Sequence, residues 1–113
     1  MVKLYKPKNM ITLVENKLPQ IIDTCKQMQL KSLYLIGSAS RETDFTNDSD
    51  IDFLFSMISD DTGMPVSDYD YFDVKFKLEE ITGRKVDLVS DSNIRNKYFL
   101  QSILEDKVKI YEA

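Results

Sequence analysis

Hydrophobic residues recur along the chain at spacings that separate helices from strands. Over residues 9–28 the apolar positions fall three or four apart, the spacing of one face of an α-helix. Pro19 interrupts this segment, so we expect it either to kink the helix or to open a second helix in its first turn. Helical spacing also predicts a helix over residues 93–105.

Short apolar runs between the helical segments predict four strands, over residues 32–36, 51–55, 85–89 and 108–111. Phe72, Phe76 and Ile81 are predicted to form the inner face of a further helix, which Thr82 and Gly83 would end. The last strand is expected at an edge of the sheet. The fold class is therefore α/β, in the broad α+β sense: a mixed sheet of about four strands covered by helices, in one domain spanning residues 1–113.

Composition narrows the chemistry available to this chain. Lysines and arginines number 15 against 19 acidic residues, for a net charge of −4, and no basic stripe suited to nucleic acid is present. The absence of histidine means that a metal site must use oxygen ligands, which favours Mg²⁺ or Mn²⁺. No apolar run approaches the ~20 residues of a membrane span, and the N-terminal residues do not resemble a secretory signal. A cytoplasmic location is expected.

Gly37 and Ser38 follow directly on the first predicted strand. Glycine allows a sharp turn and a close approach by a ligand. If a helical turn begins at Ser38, its free amides and hydroxyl would favour phosphate. When the pair is considered alone, an ordinary turn is the more frequent explanation.

Asp50 and Asp52 stand at the start of the second predicted strand. Alternation places both side chains on one face, with their backbones roughly 6–7 Å apart. Such carboxylates could converge on two divalent ions. The alternative is that they solvate the end of a strand.

Asp87 lies within the third predicted strand, between Val86 and Leu88. On an edge strand it could simply point to solvent. If its strand instead neighbours that of Asp50 and Asp52, three carboxylates share one face and suit two-metal phosphoryl transfer. Asp87 could then bind the second ion and accept the proton of the attacking hydroxyl.

Two segments together resemble the polymerase-beta-like nucleotidyltransferase superfamily. They are Leu-Ile-Gly-Ser-Ala-Ser-Arg at residues 35–41, and Ser-Asp-Ile-Asp-Phe-Leu at residues 49–54. Residues 78–89 resemble the third motif of minimal bacterial members, and the likeness covers nearly the whole chain. Many such minimal domains are antitoxins paired with HEPN-type ribonuclease toxins.

The resemblance implies a role for each matching residue. Gly37 and Ser38 match the triphosphate-binding turn, Asp50 and Asp52 the metal-binding pair, and Asp87 the third carboxylate. Arg41 could reach a phosphate, although a solvated arginine is the plainer interpretation. The implied reaction is Mg²⁺-dependent transfer of AMP from ATP to a tyrosine of a HEPN toxin, which would silence the toxin.

The sequence departs from the family pattern beside the glycine-serine turn. Glu42 stands where family members commonly have glycine, and the loop over residues 39–49 is about one residue longer than usual. Because of this departure, the alternative function of a binding antitoxin that neutralises its partner by occlusion stays open. Transfer to a small molecule such as an aminoglycoside is a further alternative, although the chain is short for enclosing that acceptor.

Overall fold

The computed structural model describes residues 12–37, 50–90 and 107–113. Within these ranges it contains three helices and four strands: α1 Thr12–Asn16, α2 Leu18–Gln27, β1 Leu30–Ile36, β2 Ile51–Met57, α3 Tyr71–Thr82, β3 Val86–Ser90 and β4 Val108–Glu112. All four predicted strands are present. The predicted helix over residues 93–105 and the loop over residues 40–49 lie outside the described residues.

The helical segment before β1 consists of two helices rather than one kinked helix. Pro19 lies in the first turn of α2, where a missing backbone N–H breaks no helical hydrogen bond. Lys17 separates α1 from α2, and its carbonyl accepts a hydrogen bond from the Ile21 amide at 2.9 Å. Of the two interpretations left open by the sequence, Pro19 as the start of a second helix is therefore correct.

The four strands form one mixed sheet in the order β3-β2-β1-β4. β1 pairs antiparallel with β2 and with β4, whereas β2 and β3 run parallel. A parallel pair needs a crossover connection, and the segment containing α3 provides it. β4 is an edge strand, as predicted, and β3 forms the other edge.

The two faces of the sheet differ in chemistry. Alternate residues of the strands pack with α1, α2 and α3 into the main core, which contains Val14, Ile21, Cys25, Leu33, Leu35, Ile51, Phe53, Val74, Leu78, Val86 and Leu88 among its buried members. The intervening residues belong to the opposite face, where Ile36 and Leu54 form a smaller buried cluster with Tyr34 and Val89. We call this second surface the carboxylate face, because alternation also assigns Asp52 and Asp87 to it.

α3 is well capped at both ends, but it is rotated relative to the sequence prediction. Asp70 and Asp73 form a reciprocal capping box, and Gly83 closes the helix in a left-handed conformation with φ of 69°. Val74 and Leu78 face the core, whereas Phe72 and Phe76 are 57% and 59% exposed. The predicted inner face was therefore wrong for both phenylalanines. Helical spacing fits residues 74 and 78 as well as 72 and 76, and the packing of α3 against the sheet selects the first pair.

Candidate active site

The register of the parallel strand pair places two predicted site residues side by side. Asp52 of β2 lies opposite Asp87 of β3, between the neighbouring pairs Ile51–Val86 and Phe53–Leu88. The Ile51 amide donates a hydrogen bond to the Lys85 carbonyl at 2.9 Å, which holds the start of the two strands together. The fold satisfies both alternatives for Asp87: β3 lies beside β2, and it is also an edge strand on which Asp87 is exposed.

The three aspartates occupy different environments. Asp50 precedes β2 and is exposed, Asp52 is half-buried, and Asp87 is exposed on its edge strand. Burial, and then the negative charges of Asp87 and Asp50, together raise the pKa of Asp52 from 3.8 to about 6. Burial favours the neutral form of Asp52, whereas the negative charges of Asp87 and Asp50 would also attract a cation to this position.

The apolar cluster of the carboxylate face explains the burial of Asp52. Ile36 is the cross-strand partner of Asp52, and Leu54 lies two residues further along the same face of β2. Apolar neighbours on two sides restrict the water that could solvate the carboxylate. Lys107 lies on this part of the sheet as well, with its ammonium 4.3 Å from the centre of the Tyr34 ring.

The carboxylates do not form a closed metal cage by themselves. Within residues 12–37, 50–90 and 107–113, no group of three or more acidic or cysteine side chains is gathered closely enough to hold a metal ion. Mg²⁺ in phosphoryl-transfer sites is usually bound through one or two carboxylates, with phosphate oxygens and water completing the octahedron. Asp52 and Asp87 at one register position, with Asp50 two residues before Asp52, are the residues that could hold such an ion together with a nucleoside triphosphate.

Gly37 approaches this group from the end of β1. It adopts φ of 67°, in the left-handed region where glycine is favoured. A Cβ built on Gly37 would lie 2.5 Å from Oδ2 of Asp52, so a side chain there requires that oxygen to move. The sequence predicted a turn at Gly37 but gave no sign of this contact. The other predicted phosphate contacts, Ser38 and Arg41, and the unusual Glu42 lie outside the described residues.

A cavity formed by described residues lies elsewhere. It encloses about 730 Å³ and is lined by residues that include Phe55, Ser67, Tyr69, Tyr71 and Ser90. Its β2 residues are three to five positions beyond Asp52, which corresponds to roughly 10–17 Å of strand. None of the three aspartates lines it. The carboxylate chemistry, rather than the cavity, therefore marks the candidate site.

The helices of the described residues give no sign of a membrane span. Each is too short or too polar to cross a bilayer.

Sequence comparisons match the chain to a family and to a similar protein. Residues 19–113 match the family described as polymerase beta, nucleotidyltransferase. The chain is also similar to protein MJ1379 of Methanocaldococcus jannaschii, whose name gives protein adenylyltransferase as a provisional assignment. The two are 37% identical over 82 residues, which cover 73% of this chain and 78% of the relative.

Structural comparisons show the same fold in toxin–antitoxin systems. A crystal structure of a toxin–antitoxin with AMP-PNP superposes with a TM-score of 0.60 at 24% identity, over 88% of this chain and 73% of that chain. A solved complex of a tri-AMPylated HEPN toxin of Shewanella oneidensis with its MNT antitoxin gives a TM-score of 0.56 at 17% identity, over 88% and 72%. The mixed four-stranded sheet with helices is thus a fold shared with these structures.

Proposed function

The chain belongs to the polymerase beta nucleotidyltransferase family, and on this premise we propose that it transfers AMP from ATP to a protein acceptor, with a HEPN-type toxin as that acceptor. The observation that carries the proposal is the pairing of Asp52 with Asp87 on adjacent parallel strands. Two carboxylates at one register position, with Asp50 two residues before the first, would form an oxygen-only site on one face of the sheet. That chemistry suits nucleotide-bound Mg²⁺ or Mn²⁺.

The environments of the aspartates support a division of roles. Half-buried Asp52 and its neighbour Asp50 would hold the metal ions, with Asp87 as a further ligand of the second ion. The ions would supply charge neutralisation for the triphosphate and a lower pKa for the acceptor hydroxyl. Exposed Asp87 can be reached by a hydroxyl of another protein. In the proposed reaction the acceptor oxygen bonds to the α-phosphorus, the bond to pyrophosphate breaks, and Asp87 takes the hydroxyl proton.

Gly37 and Ser38 would approach the triphosphate through their backbone, and Arg41 would reach a phosphate. Gly37 supports this proposal through its left-handed turn at the end of β1, next to Asp52. The roles of Ser38 and Arg41 rest on their match to the family motif alone.

The choice of acceptor rests on the relatives. MJ1379 is named as a protein adenylyltransferase, and one solved complex contains a HEPN toxin that carries AMP groups beside its MNT antitoxin. A toxin–antitoxin with bound AMP-PNP supports ATP as the nucleotide. By analogy, this chain would act as an antitoxin that silences its toxin through covalent modification.

The test combines this protein with a HEPN-type protein encoded by an adjacent reading frame, ATP and Mg²⁺. Intact-mass spectrometry should show the added mass of AMP on the HEPN protein, and pyrophosphate should be released in equal amount. Asp52→Asn and Asp87→Asn should each abolish the transfer, whereas Asp61→Asn, on an exposed turn away from the site, should leave it unchanged. Absence of AMP with the wild-type pair would refute the proposed reaction.

Neutralisation by occlusion is a second candidate, favoured by Glu42 in place of the usual glycine. It predicts a stable complex without nucleotide and full protection of cells by the Asp50→Ala, Asp52→Ala double variant. If that variant still forms the complex but no longer protects cells, occlusion alone does not neutralise the partner.

A further inference from the structure

We propose that Gly37 is a positioning residue for the Asp52 carboxylate: its missing side chain leaves the space that this carboxylate occupies. The inference assigns Gly37 a role apart from the phosphate contact expected of the turn. Its consequence for metal binding rests on the proposed function, but the steric contact itself does not.

The contact is specific to the end of the carboxylate. From a Cβ built on Gly37, Oδ2 of Asp52 lies at 2.5 Å, Cγ at 3.4 Å and Cβ at 3.5 Å. Real Cβ atoms almost never approach another heavy atom closer than 3.0 Å, so a side chain on residue 37 requires a shift of at least about 0.5 Å. Only the oxygen is too close, whereas the other two atoms are at tight or ordinary contact distances.

The surrounding structure decides which group moves. The backbones of β1 and β2 are held by their antiparallel ladder, which ends with Ile36 opposite Asp52. The Asp52 side chain can rotate, so we expect its carboxylate to move while the sheet stays in place. Mg²⁺ demands near-ideal octahedral geometry with oxygens at about 2.0–2.1 Å. A displacement of this size therefore affects metal binding more than folding.

Gly83 provides a matched control within the same chain. It adopts φ of 69°, compared with 67° for Gly37, so alanine meets nearly the same backbone strain at both positions. Among the described residues, a Cβ on Gly83 would meet no atom within 4 Å. The difference between Gly37→Ala and Gly83→Ala thus isolates the contact with Asp52.

The experiment compares the wild-type protein with these two variants. Crystal structures in metal-free buffer should show the Asp52 carboxylate displaced in Gly37→Ala and unmoved in Gly83→Ala. The two variants should lose similar thermal stability. Mn²⁺ binding, followed by electron paramagnetic resonance without nucleotide, should weaken by about tenfold or more in Gly37→Ala alone. Omitting nucleotide removes any effect on phosphate binding.

An unmoved Asp52 carboxylate in Gly37→Ala would overturn the inference, as would unchanged Mn²⁺ affinity in that variant. If the wild-type protein binds neither Mn²⁺ nor ATP, the proposed function fails, and the crystal structures still decide the steric inference. If Gly37→Ala does not fold, it is combined with Asp52→Ala, which removes the carboxylate. The Gly37→Ala, Asp52→Ala double variant should fold with the same stability as the Gly83→Ala, Asp52→Ala double variant. Its failure to fold would refute the inference.

Discussion

Replacing Asp52 with asparagine should stabilise the metal-free protein at neutral pH while abolishing its activity. The substitution preserves size and removes the charge that burial, Asp87 and Asp50 all disfavour. The rise in the pKa from 3.8 to about 6 corresponds to about 3 kcal/mol at full strength. Because the carboxylate is only half-buried, solvent screening reduces the expected gain to about 1–1.5 kcal/mol.

The pH dependence follows from the direction of this change. The native Asp52 carboxyl holds its proton more tightly than the unfolded one, so its contribution is favourable at low pH. This contribution is lost as the pH rises from about 4, where the unfolded carboxyl ionises, through about 6, where the native one does. The stability gained by Asp52→Asn should therefore be full at pH 7.5 and largely absent at pH 4.

Urea unfolding with EDTA at both pH values measures this difference. Asp60→Asn is the matched control, because folding lowers the pKa of Asp60 whereas it raises that of Asp52. Its carboxylate accepts hydrogen bonds from the Thr62 hydroxyl at 2.6 Å and from the Thr62 and Met64 amides at 2.8 and 3.0 Å, which lower its pKa. Asp60→Asn should lower stability at pH 7.5. The reasoning is refuted if Asp52→Asn is no more stable than wild type at pH 7.5, or if its gain persists at pH 4.

Two further predictions follow from the site and from the rotation of α3. With ATP present, Mg²⁺ should raise the melting temperature of the wild-type protein more than that of Asp52→Asn, measured by differential scanning fluorimetry; equal shifts would count against Asp52 as a metal ligand. Leu78→Ala should cost about 2–5 kcal/mol in urea unfolding, because Leu78 is fully buried. Phe76→Ala should cost less than about 1 kcal/mol, because its ring is mostly exposed, and the reverse order would contradict the observed face of α3.

Local signals in the sequence were sufficient to predict the four strands and to single out Asp50 and Asp52 as a candidate pair. Strand alternation depends only on neighbouring residues, so a single apolar run placed both aspartates on one face. Gly83 was predicted as a helix end for a similar reason, since a left-handed cap needs only a residue without a Cβ. The family motifs were also readable, because they lie in short contiguous segments.

Only the tertiary structure decided what these elements place together. Asp87 follows Asp52 by 35 positions, and their contact depends on the parallel pairing of β2 with β3 rather than on local preference. The face of α3 was equally undetermined, because two pairs of residues share helical spacing and only packing distinguishes them. Gly37 reaches Asp52 through the pairing of β1 with β2. The sequence by itself determined which residues could perform the chemistry, and the nonlocal register of the sheet decided which of them meet.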